Sequence, residues 1–184
     1  SIAFGVVLSK GEKATNNLVV VSKQGVLATY AKIHPFSYAN EDAHYQAGNN
    51  LKKVNIGGAT IGLTICYDLR FPELYQGYSK DCQVLLNIAN WPERRVTHWK
   101  ALIKARAIEN QVFMVGVNRI GKDGNGLQYV ASSEIVSPYG EELKGVSLSE
   151  EVAVYEIDLG EVAQYRKEFP VKSDRKITLY KDIL

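Results

Sequence analysis

A chain of 184 residues, 46% hydrophobic and 23% charged, is long enough for one domain with a substantial core and ordinary in composition for a globular protein. Its formal net charge of +2 gives no reason to expect affinity for nucleic acid or an acidic membrane, and no apolar stretch is long enough to make a membrane-spanning helix. Two cysteines, Cys66 and Cys82, without a CxxC pair argue against a disulfide framework or a zinc site, and we expect a reducing, cytoplasmic setting.

The chain opens at Ser1 inside an apolar run, without a methionine and without a basic region leading into a long apolar one, and we expect a preceding portion rather than a signal peptide. Ile2–Leu8 predicts a buried strand. Leu18–Val21 predicts a second, joined by a tight turn at Lys23-Gln24-Gly25 to a third over Val26–Tyr30. Pro35 ends regular pairing, which puts Lys32 at a strand end. Ser37 to Asn50 has no strong period and reads as a loop that carries Glu41. Lys52–Ile56 and Ala59–Cys66 read as an antiparallel pair turned by Gly57-Gly58, followed by a helix over Pro72–Tyr78. Gln83–Ala89 is an apolar strand, Val96–Asn110 has helical spacing, and Gln111–Asn118 is another strand. Further strands are expected over Tyr129–Val136 and Val152–Ile157, a short helix over Leu159–Lys167, and an irregular tail to Leu184. Strands alternating with helices predict an α/β layered fold with a mixed sheet, whose active groups gather at strand carboxyl ends. Lys32, Cys66 and Trp91 all fall at such ends.

Ala59–Pro72, ATIGLTICYDLRFP, is the most informative stretch. A β-branched apolar run stops at Cys66 and turns into a helix start, the setting of a nucleophile elbow. From these residues alone, Cys66 is open to two readings, a small buried hydrophobe or an activated thiol. Amide hydrolysis needs a nucleophile, a base and donors for the tetrahedral oxyanion. Cys66 can attack, while the Lys32 ammonium and the backbone N–H of Tyr67 can hold the oxyanion. His34 is expected to be structural, His98 to pack its helix or rim a pocket, Arg106 and Glu109 to pair, Cys82 to be inert and buried, and Asp123-Gly124-Asn125-Gly126 to be a turn rather than a calcium loop.

Lys32-Ile33-His34 and Gly62-Leu63-Thr64-Ile65-Cys66-Tyr67-Asp68-Leu69-Arg70-Phe71-Pro72-Glu73 resemble the nitrilase (carbon–nitrogen hydrolase) superfamily. Asn90-Trp91-Pro92, His98-Trp99, Lys104 to Gln111, Asn118-Arg119, Ser137-Pro138-Tyr139-Gly140 and Phe169-Pro170-Val171 extend the resemblance over essentially the whole chain. It implies a four-layer αββα sandwich, usually paired into homodimers, with residues 1–184 forming the C-terminal two-thirds or so of the domain and the N-terminal part missing. It implies Cys66 as nucleophile, Lys32 as the catalytic lysine and Glu41 as the second glutamate that positions it, with no metal and no cofactor. The branch it resembles most is the ω-amidases, which hydrolyse the terminal amide of 2-oxoglutaramate-type oxo-dicarboxylate monoamides through a cysteine acyl-enzyme. A small-molecule amide, rather than a nucleic acid or a membrane, is then the expected partner. Tyr67 and Trp91 would line its pocket, and Arg70 or Arg94 would meet its distal carboxylate. The family's general-base glutamate lies upstream of the lysine, and no residue here matches it, because Glu12 sits in a turn. The alternatives are another amidase, nitrilase or carbamoylase of the superfamily, or a truncated scaffold without turnover.

Overall fold

The alternating apolar runs build two sheets. The computed structural model describes residues 1–149 and 151–183. Three antiparallel strands come first, β1 (Ile2–Lys10), β2 (Lys13–Ser22) and β3 (Gly25–Ala31), side by side in that order. A one-turn helix α1 (Glu41–His44) precedes β4 (Lys53–Ile56) and β5 (Ala59–Ile65). Then follow α2 (Pro72–Tyr78), β6 (Val84–Ala89), α3 (Val96–Asn110) and β7 (Phe113–Asn118). The short strands β8 (Gly121–Lys122) and β9 (Gln128–Tyr129) make a ribbon, and β10 (Glu134–Val136) returns to the main sheet. A second ribbon, β11 (Val146–Ser147) and β12 (Ala153–Val154), leads to α4 (Gly160–Glu168) and α5 (Ile177–Ile183).

The five-stranded sheet runs β10-β7-β6-β5-β4. Its centre, β5-β6-β7, is parallel, and both flanking strands are antiparallel. Parallel neighbours need crossovers, which α2 and α3 supply. Side chains alternate across each strand. Leu63, Ile65, Leu86 and Ile88 therefore face the three-stranded sheet, where they meet Leu18, Val20 and Tyr30. Leu85 and Met114 face the other way, onto Tyr75, Tyr78, Trp99 and Ile103 of the helices. Each such apolar side chain contributes about 1.5–3 kcal/mol on burial. Helices, five-stranded sheet and three-stranded sheet thus stack in that order, three of the four layers expected of the αββα sandwich. Helix α4 closes the opposite edge, where Arg166 donates to the carbonyls of Gln111 and Cys82, before the starts of β7 and β6.

Helices over Pro72–Tyr78 and Val96–Asn110 match the expected ranges, and Pro72 stands in the first turn of its helix. Several expectations are corrected. β1 is not buried: it is an edge strand with Ile2 66% and Val7 55% exposed, because only β2 pairs with it. β7 begins at Phe113 instead of Gln111, since Gln111 adopts a left-handed conformation (φ 51°) that ends α3. Tyr129–Val136 is split between β9 and β10, and Val152–Ile157 retains only the two-residue β12. Ser37–Asn50 is not wholly irregular: Ser37–Ala39 forms a 3-10 turn and Glu41 opens α1. The tail is not irregular either, since it carries the 3-10 turn Val171–Asp174 and α5. Among the described residues, no helix is long and apolar enough to cross a membrane.

Candidate active site

The carboxyl ends of β5, β6 and β7 open on one cleft, as the parallel centre of the sheet requires. Cys66 ends β5 at the entry to a 3-10 turn, Cys66–Arg70. Its backbone is left-handed, φ 46°. A side chain other than glycine costs about 1–2 kcal/mol in that conformation. The turn holds it there through Asp68, whose Oδ2 accepts from the Ile65 N–H at 3.0 Å. The same carboxylate accepts from the Tyr30 hydroxyl at 2.7 Å and the His34 N–H at 3.0 Å. Asp68 therefore ties the end of β3, which bears Lys32, to the elbow that bears Cys66. His34 completes the tie, with Nδ1 3.0 Å from Asp68 Oδ1 and its ring stacked on Phe71 at 3.7 Å.

Lys32 follows β3 directly and points inward, only 4% exposed beside a Glu41 side chain at 14%. Its Nζ donates to Glu41 Oε2 at 2.6 Å. Glu41 also accepts from Asn16 Nδ2 at 2.9 Å and from the Phe36 N–H at 2.6 Å. Burial alone would raise the Glu41 pKa, but the hydrogen bonds from Lys32, Asn16 and Phe36 hold it below the ordinary carboxylate value. Glu41 is thus a fixed anion that orients Lys32. Burial pushes the Cys66 thiol up, opposed by the Lys32 charge and a hydrogen bond with the Asn90 backbone, and reinforced by the Glu41 and Asp68 charges. A thiol in that balance rests protonated and needs a base to become a thiolate.

Lys32, Glu41 and Cys66 line a cleft of about 940 Å³ together with Asn16, Phe36 and Asn118. A smaller cavity of about 240 Å³ joins it at Cys66, walled by Tyr67, Arg70, Trp91, Pro92, Arg95 and Tyr129. Trp91 is both wall and core: it packs on Trp99 at 5.5 Å between ring centres. Tyr67 lies against Phe36 and Phe71, 4.8 and 5.2 Å away. The Arg70 guanidinium sits over Trp91 at 4.9 Å and reaches His98 Nδ1 at 3.3 Å, so His98 is a rim residue. Arg94 is exposed and does not line the cavity. Arg106 pairs with Glu109 at 3.0 Å and donates to the Leu69 carbonyl, bracing the turn after Cys66. Cys82 is buried, and Asp123 caps its turn by accepting from the Asn125 and Leu127 N–H groups.

Three residues of this region carry more than their sequence positions suggested. Asp68 stands within the quoted motif, but its tie to β3 is a long-range contact. Asn118 clamps the loop after β6, its Oδ1 accepting from the Trp91 N–H at 2.7 Å and its Nδ2 donating to the Trp91 carbonyl at 2.8 Å. Arg95 enters the cavity because the 3-10 turn Glu93–Arg95 brings its backbone under Trp91, whose Nε1 donates to the Arg95 carbonyl at 2.8 Å. A three-residue repeat from Pro92 would have separated Arg95 from Arg94.

A family profile described as carbon-nitrogen hydrolase matches residues 1–167. Omega-amidase YafV of Escherichia coli (strain K12) is 37% identical over 174 residues, 94% of this chain and 68% of that protein. The 2-oxoglutaramate amidase of Bacillus subtilis (strain 168) is 34% identical over 181 residues, 97% of this chain and 70% of that protein. The crystal structure of a Xanthomonas campestris CN-hydrolase superfamily protein, with an arsenic adduct in its active site, superposes with a TM-score of 0.87 at 34% identity, covering 95% of this chain and 69% of that one. On the strength of fold, motifs and these matches, the chain belongs to the carbon–nitrogen hydrolase family.

Proposed function

We propose that this protein is a thiol amidohydrolase of the ω-amidase type, cleaving the terminal amide of a small oxo-dicarboxylate monoamide to ammonia and the acid. The observation that carries this reading is the convergence on one cleft of a buried Lys32–Glu41 pair and a cysteine held left-handed at a strand end. Relatives named as omega-amidase and 2-oxoglutaramate amidase support the substrate class.

In this reading Cys66 Sγ loses its proton to a base and attacks the amide carbon. The Lys32 ammonium and the Tyr67 N–H, the first backbone donor beyond the nucleophile, face the oxygen that becomes negative. Collapse of the tetrahedral intermediate breaks the C–N bond, and the proton taken from the thiol leaves with ammonia. Water then attacks the thioester, freeing the acid and restoring the thiol. Glu41 is the acidic side chain that lines the cleft among the described residues, and its three bonds commit it to positioning Lys32. The resemblance puts the base upstream of Lys32, where residues 1–31 offer only Glu12 at the tip of the β1–β2 hairpin. That observation favours a second reading, in which these residues hold the nucleophile and oxyanion machinery but do not turn over by themselves.

Ammonia release from 2-oxoglutaramate, with a Cys66→Ala control, tests both. Release that disappears in the control is expected from the first reading, and release that survives it overturns the cysteine mechanism. No release, with Cys66 still alkylated by iodoacetamide, selects the second.

A further inference from the structure

The cavity beside Cys66 is lined by two guanidinium groups that have no carboxylate partner among the described residues. Every arginine–carboxylate pair of the described chain is accounted for by Arg106 and Glu109, and neither Arg70 nor Arg95 takes part in one. Arg70 meets only Trp91 and the ring of His98. Arg95 is half-buried and lies over Phe36, 5.6 Å from the ring centre. The acid on the cavity wall, Asp123, is already committed to the Tyr129 hydroxyl and two backbone N–H groups. A half-buried guanidinium keeps its charge, and two of them on one wall repel each other until an anion arrives. Trp91, Pro92 and Leu127 give the wall an apolar side, facing the polar Asn90 and Asn125, so an anion bound there is partly shielded from water. At about 240 Å³ the cavity lies below the ~300–1,000 Å³ of drug-sized sites and suits a small molecule.

We propose that Arg95, with Arg70 beside it, forms the anion subsite that reads the carboxylate end of the substrate while its amide carbonyl lies at Cys66. The assignment rests on the reading of Cys66 as the nucleophile. It makes Arg95 a specificity-determining residue and gives Arg70 a supporting part. Arg94, of the same charge and one residue away, is exposed and has no share in the subsite.

The test uses the chain as it stands and does not need turnover. Iodoacetate and iodoacetamide alkylate a thiol at nearly the same size and differ in charge. Their rates at Cys66 are read by peptide mass, which separates it from buried Cys82. In Arg95→Gln the iodoacetate-to-iodoacetamide rate ratio is expected to fall at least about tenfold, the scale of one charge-assisted hydrogen bond. Arg95→Lys should recover part of the ratio, and Arg94→Gln should leave it unchanged. Protection of Cys66 by glutarate should fall with the ratio, and an unchanged circular dichroism spectrum reports an intact fold. An unchanged ratio in both Arg95→Gln and Arg70→Gln overturns the subsite. A fall in Arg94→Gln as large as that in Arg95→Gln also overturns it, since it would mark a general field. Failure of the nucleophile reading is seen separately, as amide hydrolysis that survives Cys66→Ala.

Discussion

At the scale of single residues, the site depends on charges held out of water. Lys32 is as buried as a core side chain, which a lysine tolerates only beside an anion. Glu41 supplies that anion and is itself fixed by Asn16 and the Phe36 N–H. Glu41→Gln keeps the shape and removes the charge, leaving a buried ammonium unpaired. Breaking a buried pair from one side costs about 3–5 kcal/mol, and that loss is expected in urea unfolding at pH 7. The pH dependence has a definite sign. Because the folded Glu41 pKa lies below its ordinary 4.5, its stabilisation is full above pH 4.5 and fades as pH falls through the lower folded value. The gap between wild type and Glu41→Gln should therefore narrow in acid. A gap that stays constant down to the acid transition would show that Glu41 packs rather than pairs. Lys32 and Cys66 were both legible as residues because each ends a recognisable strand. Arg95 was not, since two adjacent arginines look alike until the turn that separates them is known.

At the scale of elements, Asp68 is the joint between the two sheets. It stands in the turn after β5 and bonds groups at the end of β3, so one carboxylate sets the spacing between Cys66 and Lys32. Asp68→Asn replaces one acceptor oxygen with a donor, which then faces the Tyr30 hydroxyl and Ile65 N–H or the His34 N–H. Losing charge-assisted bonds of this kind costs about 2–3 kcal/mol. The variant also loses one of the charges that hold the Cys66 thiol up, so Cys66 alkylation at fixed pH should quicken while both sheets persist in circular dichroism. Unaltered alkylation together with a lower melting temperature would assign Asp68 to stability alone. This joint explains where sequence reading stopped. Helices such as Val96–Asn110 declare themselves through local spacing, and α2 through Pro72. An apolar strand does not declare whether a neighbour covers it, and so β1 reads as buried and stands at an edge. The tail helix α5 is seven residues long, too short to be marginally stable alone, and it follows Arg175, which bonds Gln76 of α2. Contacts of that reach leave no periodic trace.

At the scale of the whole molecule, stability as a function of pH depends on carboxylates the fold treats in opposite ways. Glu41 is stabilised as an anion, whereas Glu134 is penalised as one. Glu134 sits on β10, the edge strand beside β7, buried, with its Oε1 lacking a hydrogen-bond partner among the described residues. Burial pushes its pKa up to about 7, and the Glu142 charge adds to burial while Lys100 opposes it. Below pH 4.5 both folded and unfolded states hold the proton, and the group costs little. Between 4.5 and about 7 the unfolded chain releases it while the folded chain keeps it, so stability falls as pH rises. Above pH 7 both states are ionised and the penalty is constant, on the order of 3 kcal/mol at most. Glu134→Gln should therefore match wild type in acid, pull ahead across this interval and keep its lead at higher pH. Urea midpoints measured from pH 4 to pH 9 give the curve directly. A difference that does not change with pH would mean that Glu134 is ionised in the fold, with Lys100 near enough to hold its charge. The same measurement on Glu41→Gln, extended below pH 4, should bend in the opposite sense, so the two variants together separate a carboxylate that holds a buried lysine from one that the sheet edge merely tolerates.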